Sequence, residues 1–503
     1  MSAAQKLGTI ITTDDSPSIT SFSFVINEKN PVKRGQFVSV ETSEGIMIAT
    51  VVNIFKTNRY FESAGSVKEY NKSAELQFAF PIKEWEYTIA EARALGVFTS
   101  DKRVERPSFP PSPGTDVTEV ETDLLGNFLG LDREHGIELG DVQQHKLKAK
   151  FNLTKMIQKH IAVLAISGAG KSYAVSVLME ELLERTAKQG RVALLVIDNH
   201  GEYVSFAEDP NYKGSVKVID ADKIKIGVRN LTERIFASLL PNMSPAQVRV
   251  LGKILSGMKK AGEAFTIGDI IDAVKVNEDI SKSTKEALMG WLFELEQMKI
   301  FDKLDEPSVE DLLAPGKMVI INLRNVLDLR KKQLIVAYIS RRLFNFRREG
   351  RVPPYLEIIE EAHNYAPEKT KAENSLSKSI IETLAREGRK FFANLCLISQ
   401  RPIQLSTTAL SQCNTQIILK VTNPYDLDHI GKSSESLSKQ VLDIISSLKV
   451  GEALVIGEAT NYPVFVKIRQ RRSKESHGTK LEDYAILWEK KAGGKLAKGS
   501  EFL

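Results

Sequence analysis

Residues 165–172 read Ala-Ile-Ser-Gly-Ala-Gly-Lys-Ser and directly follow the apolar run Ile161-Ala162-Val163-Leu164. Behind them Val177, Leu178, Met179, Leu182 and Leu183 recur at helical spacing, which predicts a helix over 173–183. Strand, small-residue loop and helix in this order make a phosphate-binding loop. Its backbone N–H groups can surround phosphate oxygens at the positive end of the helix. Ser167, Gly168, Ala169, Gly170, Lys171, Ser172 and Tyr173 are therefore candidate nucleotide-binding residues. Lys171 is expected to reach the β and γ phosphates, and Ser172 to hold Mg²⁺. The usual pattern has a glycine where this chain has Ala165. That position needs a small residue more than a glycine, and Gly168 and Gly170 remain for the tight backbone path.

The 503 residues argue for two to four domains, and 42% apolar residues supply an ordinary core. A net charge of +5 does not identify a partner. Two cysteines, Cys396 and Cys413, argue for a reducing compartment without a disulfide framework. No run approaches the roughly 18 to 20 apolar residues of a membrane span. Met1–Lys6 carries no signal-peptide core. The expectation is a cytoplasmic protein with no membrane partner.

Short β-like runs fill the first part of the chain. Residues 9–12, 21–25, 36–40 and 45–52 read as strands of a small barrel or sandwich, Leu76–Ile82 and Leu95–Phe98 add strands, and Ile89–Ala94 reads as a short helical turn. Pro107–Gly114 reads as a stiff linker. From about 150 the pattern alternates. Strands are expected at 161–166, 192–197, 216–219, 318–323, 355–360, 394–399, 416–421 and 453–457, mostly with helices between them, and 453–458 and 463–469 read as a hairpin. That is the signature of a mostly parallel α/β sheet. Residues 230–310 carry helical pattern alone and read as an insertion. The domain reading is 1–145 for the barrel and linker, 146–229 and 311–470 for two parts of one ATPase core, 230–310 for the helical insertion, and 471–503 for a basic tail.

Leu356-Glu357-Ile358-Ile359-Glu360-Glu361-Ala362-His363 is an apolar strand ending in two acids. Its last carboxylates should reach the sheet edge where the phosphate loop lies. Glu360 is the candidate to orient Mg²⁺, and Glu361 the candidate to take a proton from attacking water. A second strand leads into Asp198-Asn199-His200-Gly201-Glu202-Tyr203, so Asp198 and Glu202 are alternative or accessory carboxylates. A third strand, 395–399, ends in Gln400-Arg401-Pro402, where the Gln400 amide could contact the γ-phosphate. Arg386 and Arg389 are both candidates to reach a transferring phosphoryl group from a neighbouring subunit.

The ordered set resembles the HerA family of archaeal and bacterial hexameric DNA translocases, related to FtsK. The residues that carry the resemblance are 160–164 with the phosphate loop, 197–203, Glu360-Glu361-Ala362-His363, Ile398-Ser399-Gln400-Arg401-Pro402 and 413–419. The β-rich first segment fits as well, since in this family it is a barrel like that of rotary ATP synthase subunits. The resemblance implies a RecA-like P-loop NTPase core, ATP and Mg²⁺ as cofactors, a homohexameric ring, and helicase or translocase action on double-stranded DNA. It also implies a NurA-type nuclease partner, within a double-strand-break repair nuclease complex that resects DNA ends. Ala165 and Glu360 depart from the usual residues at their positions.

The loops at 364–371 and 401–408 are those a RecA-like ring turns toward its centre. Lys369, Lys371 and Arg401 are the DNA-binding candidates there, holding a backbone without reading sequence. Lys467, Arg469, Arg471, Arg472 and Lys474 form a basic run that reads equally as a solvated strand end or a DNA-facing tail. Two rival functions stand beside the motor: a secretion-type pumping ATPase, and a nucleotide-gated scaffold that recruits a nuclease.

Overall fold

The computed structural model describes residues 5–13, 16–72, 85–99, 101, 103–240, 243–370, 375–433, 437 and 439–475, with isolated positions at 482, 485–486 and 488–489. The strand expected at Leu76–Ile82, the candidate Lys371 and most of the tail beyond 475 lie outside the described residues.

Alternation of apolar and polar residues shapes the first part of the chain. In β2 (Ser21–Ile26) Phe22, Phe24 and Ile26 are buried while Ser21, Ser23 and Val25 face outward. It joins β1 (Lys6–Ile11), β3 (Phe37–Thr42), β4 (Gly45–Asn58), β5 (Glu86–Phe98), β6 (Val104–Glu105) and β7 (Asp116–Glu119) in one sheet of order β2-β1-β7-β3-β4-β5-β6. A further β2–β5 pairing closes it into a barrel and leaves β6 as an appendage. Residues 89–94, expected as a helical turn, are strand in β5. Their alanines and glutamate favour helix locally, but β5 pairs with β4 on one side and β2 on the other, and that tertiary pairing wins.

The main sheet has 11 strands. They are β8 (Ile137–Val142), β9 (Lys148–Phe151), β10 (Ile161–Leu164), β11 (Ala193–Asp198), β12 (Val216–Asp220), β15 (Met318–Asn322), β16 (Tyr355–Ile359), β17 (Ala393–Ser399), β18 (Thr415–Ile418), β19 (Glu452–Gly457) and β20 (Val464–Ile468). Short strands β13 (Ile226–Gly227) and β14 (Phe301–Asp302) pair apart from it. The order is β12-β15-β11-β16-β17-β10-β18-β19-β20-β8-β9. Pairs from β12 to β18 are parallel and the rest antiparallel. Parallel strands covered on both faces need continuous apolar runs, and β11 shows why: Leu195 and Ile197 enter one core while Leu194 and Val196 enter the other.

Strands β8 and β9 were not expected, although Ile137, Leu139 and Val142 carry the signal and are buried. Gly140 is required there, since a Cβ would lie 2.0 Å from the Lys467 carbonyl oxygen of β20.

Helices Glu233–Leu239, Pro245–Ala261, Ile267–Val276 and Lys282–Gln297 form the insertion. Ser244 with Gln247 and Thr266 with Asp269 make capping boxes at their starts. Phe236, Leu251, Ile270, Leu288 and Leu292 belong to the same core as Ile197, so the insertion packs on the sheet. The β13–β14 pair shows that 230–310 is not helical throughout.

Within the basic run at 467–474, Lys467, Arg472 and Lys474 are exposed, while two of the arginines pair with carboxylates on and just after the helix Lys171–Leu183. Arg469 pairs with Glu180 at 2.7 Å and Glu181 at 2.8 Å, and Arg472 pairs with Glu181 at 3.3 Å and with Glu184. Among the described residues no helix is long and apolar enough to cross a membrane. Cys396 and Cys413 are buried free thiols.

Candidate active site at the phosphate loop

Four parallel strands bring the site together. β11, β16, β17 and β10 lie side by side, so Asp198, the residues after Ile359, Ser399 and Leu164 share one sheet edge. The phosphate loop hangs between neighbours: Ala165 N donates to the Ser399 carbonyl at 3.2 Å and Ile166 N to the Lys420 carbonyl at 3.0 Å. Gly168 and Gly170 have φ of +77° and +91°, where a side chain costs about 1 kcal/mol. Ala165 is fully buried in the apolar core and is not among the positive-φ residues, so its methyl group is accommodated. The helix runs from Lys171 to Leu183 and points its first N–H groups at the loop.

Lys171 Nζ lies 2.8 Å from Glu361 Oε1, with both side chains almost wholly buried. Glu361 itself adopts φ +50°, a left-handed conformation rare outside glycine. On its other side Glu361 Oε2 is 3.4 Å from His363 Nδ1, which is also 3.1 Å from the Ser399 hydroxyl. Burial holds the His363 imidazole below its ordinary value, against the pull of the Glu361 carboxylate. The sequence motif contains His363, but no spacing rule assigns it a role.

Glu360 points the other way. Its Oε2 accepts Asn199 N at 2.8 Å and His200 N at 3.2 Å. Its Oε1 is buried and meets no donor. Burial, then the Glu202 and Asp198 carboxylates, push Glu360 up to about 9. Asp198 is committed to its own turn: Oδ1 accepts Gly201 N at 2.7 Å and Glu202 N at 3.0 Å, and Oδ2 accepts Tyr203 N at 2.9 Å. Glu202 Oε2 accepts the Ser172 hydroxyl. Ser172, Glu202 and the donorless oxygen of Glu360 thus form an oxygen-lined corner beside the loop. Among the described residues no three His, Cys, Asp or Glu side chains are placed to hold a metal by themselves. The corner fits a cation shared with phosphate oxygens.

A cleft of about 410 Å³ is lined by Ser167, Gly168, Lys171, Tyr173, Glu361 and Gln400. The structure therefore brings the loop, both candidate acids' segment and Gln400 together. It does not bring Arg386 there. Arg386 is exposed in the last turn of the helix Lys378–Glu387, which feeds β17 from the opposite sheet edge, and Arg389 is exposed in the same connection. Within one chain neither faces the cleft.

Lys369 and Arg401 are both exposed, on loops that are stitched together. Pro367 and Leu405 form an antiparallel bridge, Glu368 N donates to the Gln404 carbonyl at 2.8 Å, and Ser406 N to the Ala366 carbonyl at 2.8 Å. The Glu368 carboxylate accepts Thr407 N at 2.6 Å and its hydroxyl at 2.8 Å. A chamber of about 980 Å³ opens beside these loops, lined by Trp291, Leu329, Arg330, His363, Lys369 and Gln404. His363 thus touches both the chamber and the acid in the cleft.

The family described as "Helicase HerA, central domain" matches residues 137–343. The DNA double-strand break repair helicase HerA of Pyrococcus furiosus is 29% identical, over 94% of this chain and 95% of its own. That of Saccharolobus solfataricus is 27% identical, over 89% and 90%. VirB4 of Thermoanaerobacter pseudethanolicus shares the fold with a TM-score of 0.53 at 15% identity, covering 67% of this chain and 97% of that one.

Proposed function

The chain belongs to the HerA helicase family, and from that premise we propose that it is an ATP-driven motor that moves double-stranded DNA. The observation that carries this reading is the continuous contact path Lys171–Glu361–His363, which runs from the phosphate loop to the chamber beside the two stitched loops.

The loop at 167–172 binds the triphosphate through its backbone N–H groups, with Lys171 neutralising the terminal phosphates. Ser172, with Glu202 and Glu360 near it, would hold Mg²⁺, which would neutralise charge on the phosphate oxygens. Once a phosphate draws Lys171 away, Glu361 is released from its ion pair to accept a proton from water. Gln400 lines the cleft, where its amide would contact the terminal phosphate, and its neighbour Arg401 opens the second loop proposed to face DNA. Loss of that phosphate therefore moves a loop tied to its partner through the 367–405 bridge. Lys369 and Arg401 hold the DNA backbone, and such contacts carry no sequence preference.

Arg386 and Arg389 are exposed and outside their own chain's cleft, so either would serve the site of a neighbouring copy in a ring of identical subunits. A hexamer working with a NurA-type nuclease in resection of broken ends is the assembly this reading favours, with the barrel as the nuclease-facing end. The test is displacement of a third strand from a triplex on long duplex DNA. Displacement that needs ATP and is lost in Glu361→Gln supports the motor. ATP hydrolysis without displacement would favour the scaffold reading instead.

A further inference from the structure

The helix Leu329–Arg348 starts between the helical insertion and the loops at the edge of the main sheet. Asp328 caps it, its side chain accepting Arg330 N at 2.8 Å, which fixes the first turn. Four consecutive side chains leave that turn, and at about 100° per residue they cover its whole circumference. The first two hold the insertion. Arg330 Nη1 donates to Glu294 Oε1 at 2.9 Å and Nη2 to the Leu239 carbonyl, and Lys331 Nζ donates to the Met298 carbonyl at 2.9 Å. The next two hold the loops that follow β11 and β16. Lys332 Nζ donates to Asn199 Oδ1 at 2.8 Å, and Gln333 Nε2 to the Asn364 carbonyl at 2.7 Å.

Asn199 carries the contact onward. It is buried, and its Oδ1 also accepts the Tyr365 hydroxyl at 3.1 Å. Its own N–H is the closer of the two that Glu360 Oε2 accepts, at 2.8 Å against 3.2 Å for His200. Two N–H groups of the 198–203 turn therefore orient the fully buried Glu360 carboxylate, and Lys332 holds the side chain of the residue that supplies the nearer one. Without the ammonium, Asn199 Oδ1 keeps the Tyr365 hydroxyl alone. The contacts run from Glu294 on the insertion through the 330–332 turn to Asn199 and Glu360. The chamber of about 980 Å³ borders the same turn at Leu329, Arg330 and Gln333, so whatever enters it beside the loops proposed to hold DNA meets this connection.

We propose that this first turn couples the helical insertion to hydrolysis, and that Lys332 is its positioning residue, holding the Glu360 carboxylate in place through Asn199. The inference rests on the reading of the phosphate-loop cleft as an ATP hydrolysis site and adds how a distant part of the chain regulates it. Movement of the insertion pulls on Arg330 and Lys331, shifts the start of the helix, and displaces Asn199 and with it Glu360. A misplacement of about 1 Å can cost roughly a hundredfold in rate, so a small shift of the turn suffices.

The test uses the full chain with three substitutions. Lys332→Met keeps the aliphatic stem, Lys332→Arg restores a charged donor, and Arg330→Ala cuts the insertion side. Backbone hydrogen exchange is followed beside steady-state ATP hydrolysis and Tm. Lys332→Met should speed exchange at 199–200 about tenfold, the order of one hydrogen bond from a charged donor. It should lower kcat about tenfold and leave KM for ATP within about twofold. Lys332→Arg should recover most of both changes. Arg330→Ala should produce the same two changes to a smaller extent, at residues it does not touch. A purely structural staple would lower Tm and leave exchange at 199–200 and kcat as in wild type. That result for Lys332→Met would overturn the positioning role, and for Arg330→Ala it would overturn the coupling. A rise in KM with kcat unchanged would overturn both parts. Wild type that fails to hydrolyse ATP would overturn the hydrolysis reading as well, whereas hydrolysis by wild type with unaltered exchange in Lys332→Met would overturn this inference alone.

Discussion

Lys171 and Glu361 are held together in a buried ion pair at 2.8 Å, although 190 residues separate them in the chain. Each is the other's placeholder. In the proposed mechanism a phosphate in the loop draws the lysine and frees the glutamate to activate water. That mechanism couples catalysis to nucleotide occupancy through this one contact, and His363 would extend the coupling to the loops proposed to hold DNA.

The carboxylates near the loop divide into roles that substitution should separate. Asp198 satisfies three backbone N–H groups of the 198–203 turn. Asp198→Ala is expected to cost about 3 kcal/mol of stability, since those donors lose their acceptor. Asp198→Asn keeps one acceptor oxygen and should leave ATP turnover within about tenfold of wild type, because the proposed base is Glu361. Chemical denaturation and steady-state hydrolysis on the same two proteins check both statements.

Glu357 sits in β16 with its side chain fully buried against Ser340, whose hydroxyl donates to it at 2.5 Å. Burial pushes its carboxyl up to about 7 from the ordinary 4.5. The folded state therefore binds that proton more tightly than the unfolded one. The stability linked to it is present below pH 4.5, is lost as pH rises toward 7, and stays lost above. Glu357→Gln should raise stability at pH 8 by up to about 3 kcal/mol and change little at pH 4, read by urea denaturation across that range.

Arg469 is the partner of the wholly buried Glu180. Removing it leaves a buried carboxylate unpaired, a change worth about 3 kcal/mol or more. Arg469→Ala should lower Tm by several degrees and loosen the segment after it, detectable as earlier hydrogen exchange at 471–474. Arg469→Ala with Glu180→Gln should recover part of that loss.

Glu368 ties the two loops proposed to hold DNA through Thr407. Glu368→Ala is expected to leave ATP turnover without DNA close to wild type and to reduce its stimulation by duplex about threefold or more. Equal reduction of both rates would place Glu368 in the cleft chemistry rather than in loop coupling.

Much of this was legible in the sequence because the main strands are buried on both faces. Runs such as Ala193–Ile197 and Leu395–Ile398 admit little else, and the polar residues that follow them, Asp198 and Gln400, are placed by the parallel order alone. The missed parts share a cause. Residues 89–94 are locally helix-like and become strand only through β2 and β4. Strands β8 and β9 close onto β20, more than three hundred residues further on. The ion pairs of Arg469 and Arg472 were not legible because their carboxylate partners at 180, 181 and 184 lie far back in the chain. Likewise, nothing in one chain's spacing reveals that Asp198 is used up by its own turn, whereas Glu361 is not.

The account rests on Glu361 as the base opposite Lys171, and ATP turnover by Glu361→Gln with and without long duplex DNA tests it most directly. The expected result is ATP binding equal to or tighter than wild type, turnover lowered at least a hundredfold in both conditions, and wild-type turnover raised by duplex. Turnover by Glu361→Gln close to the wild-type rate would contradict it.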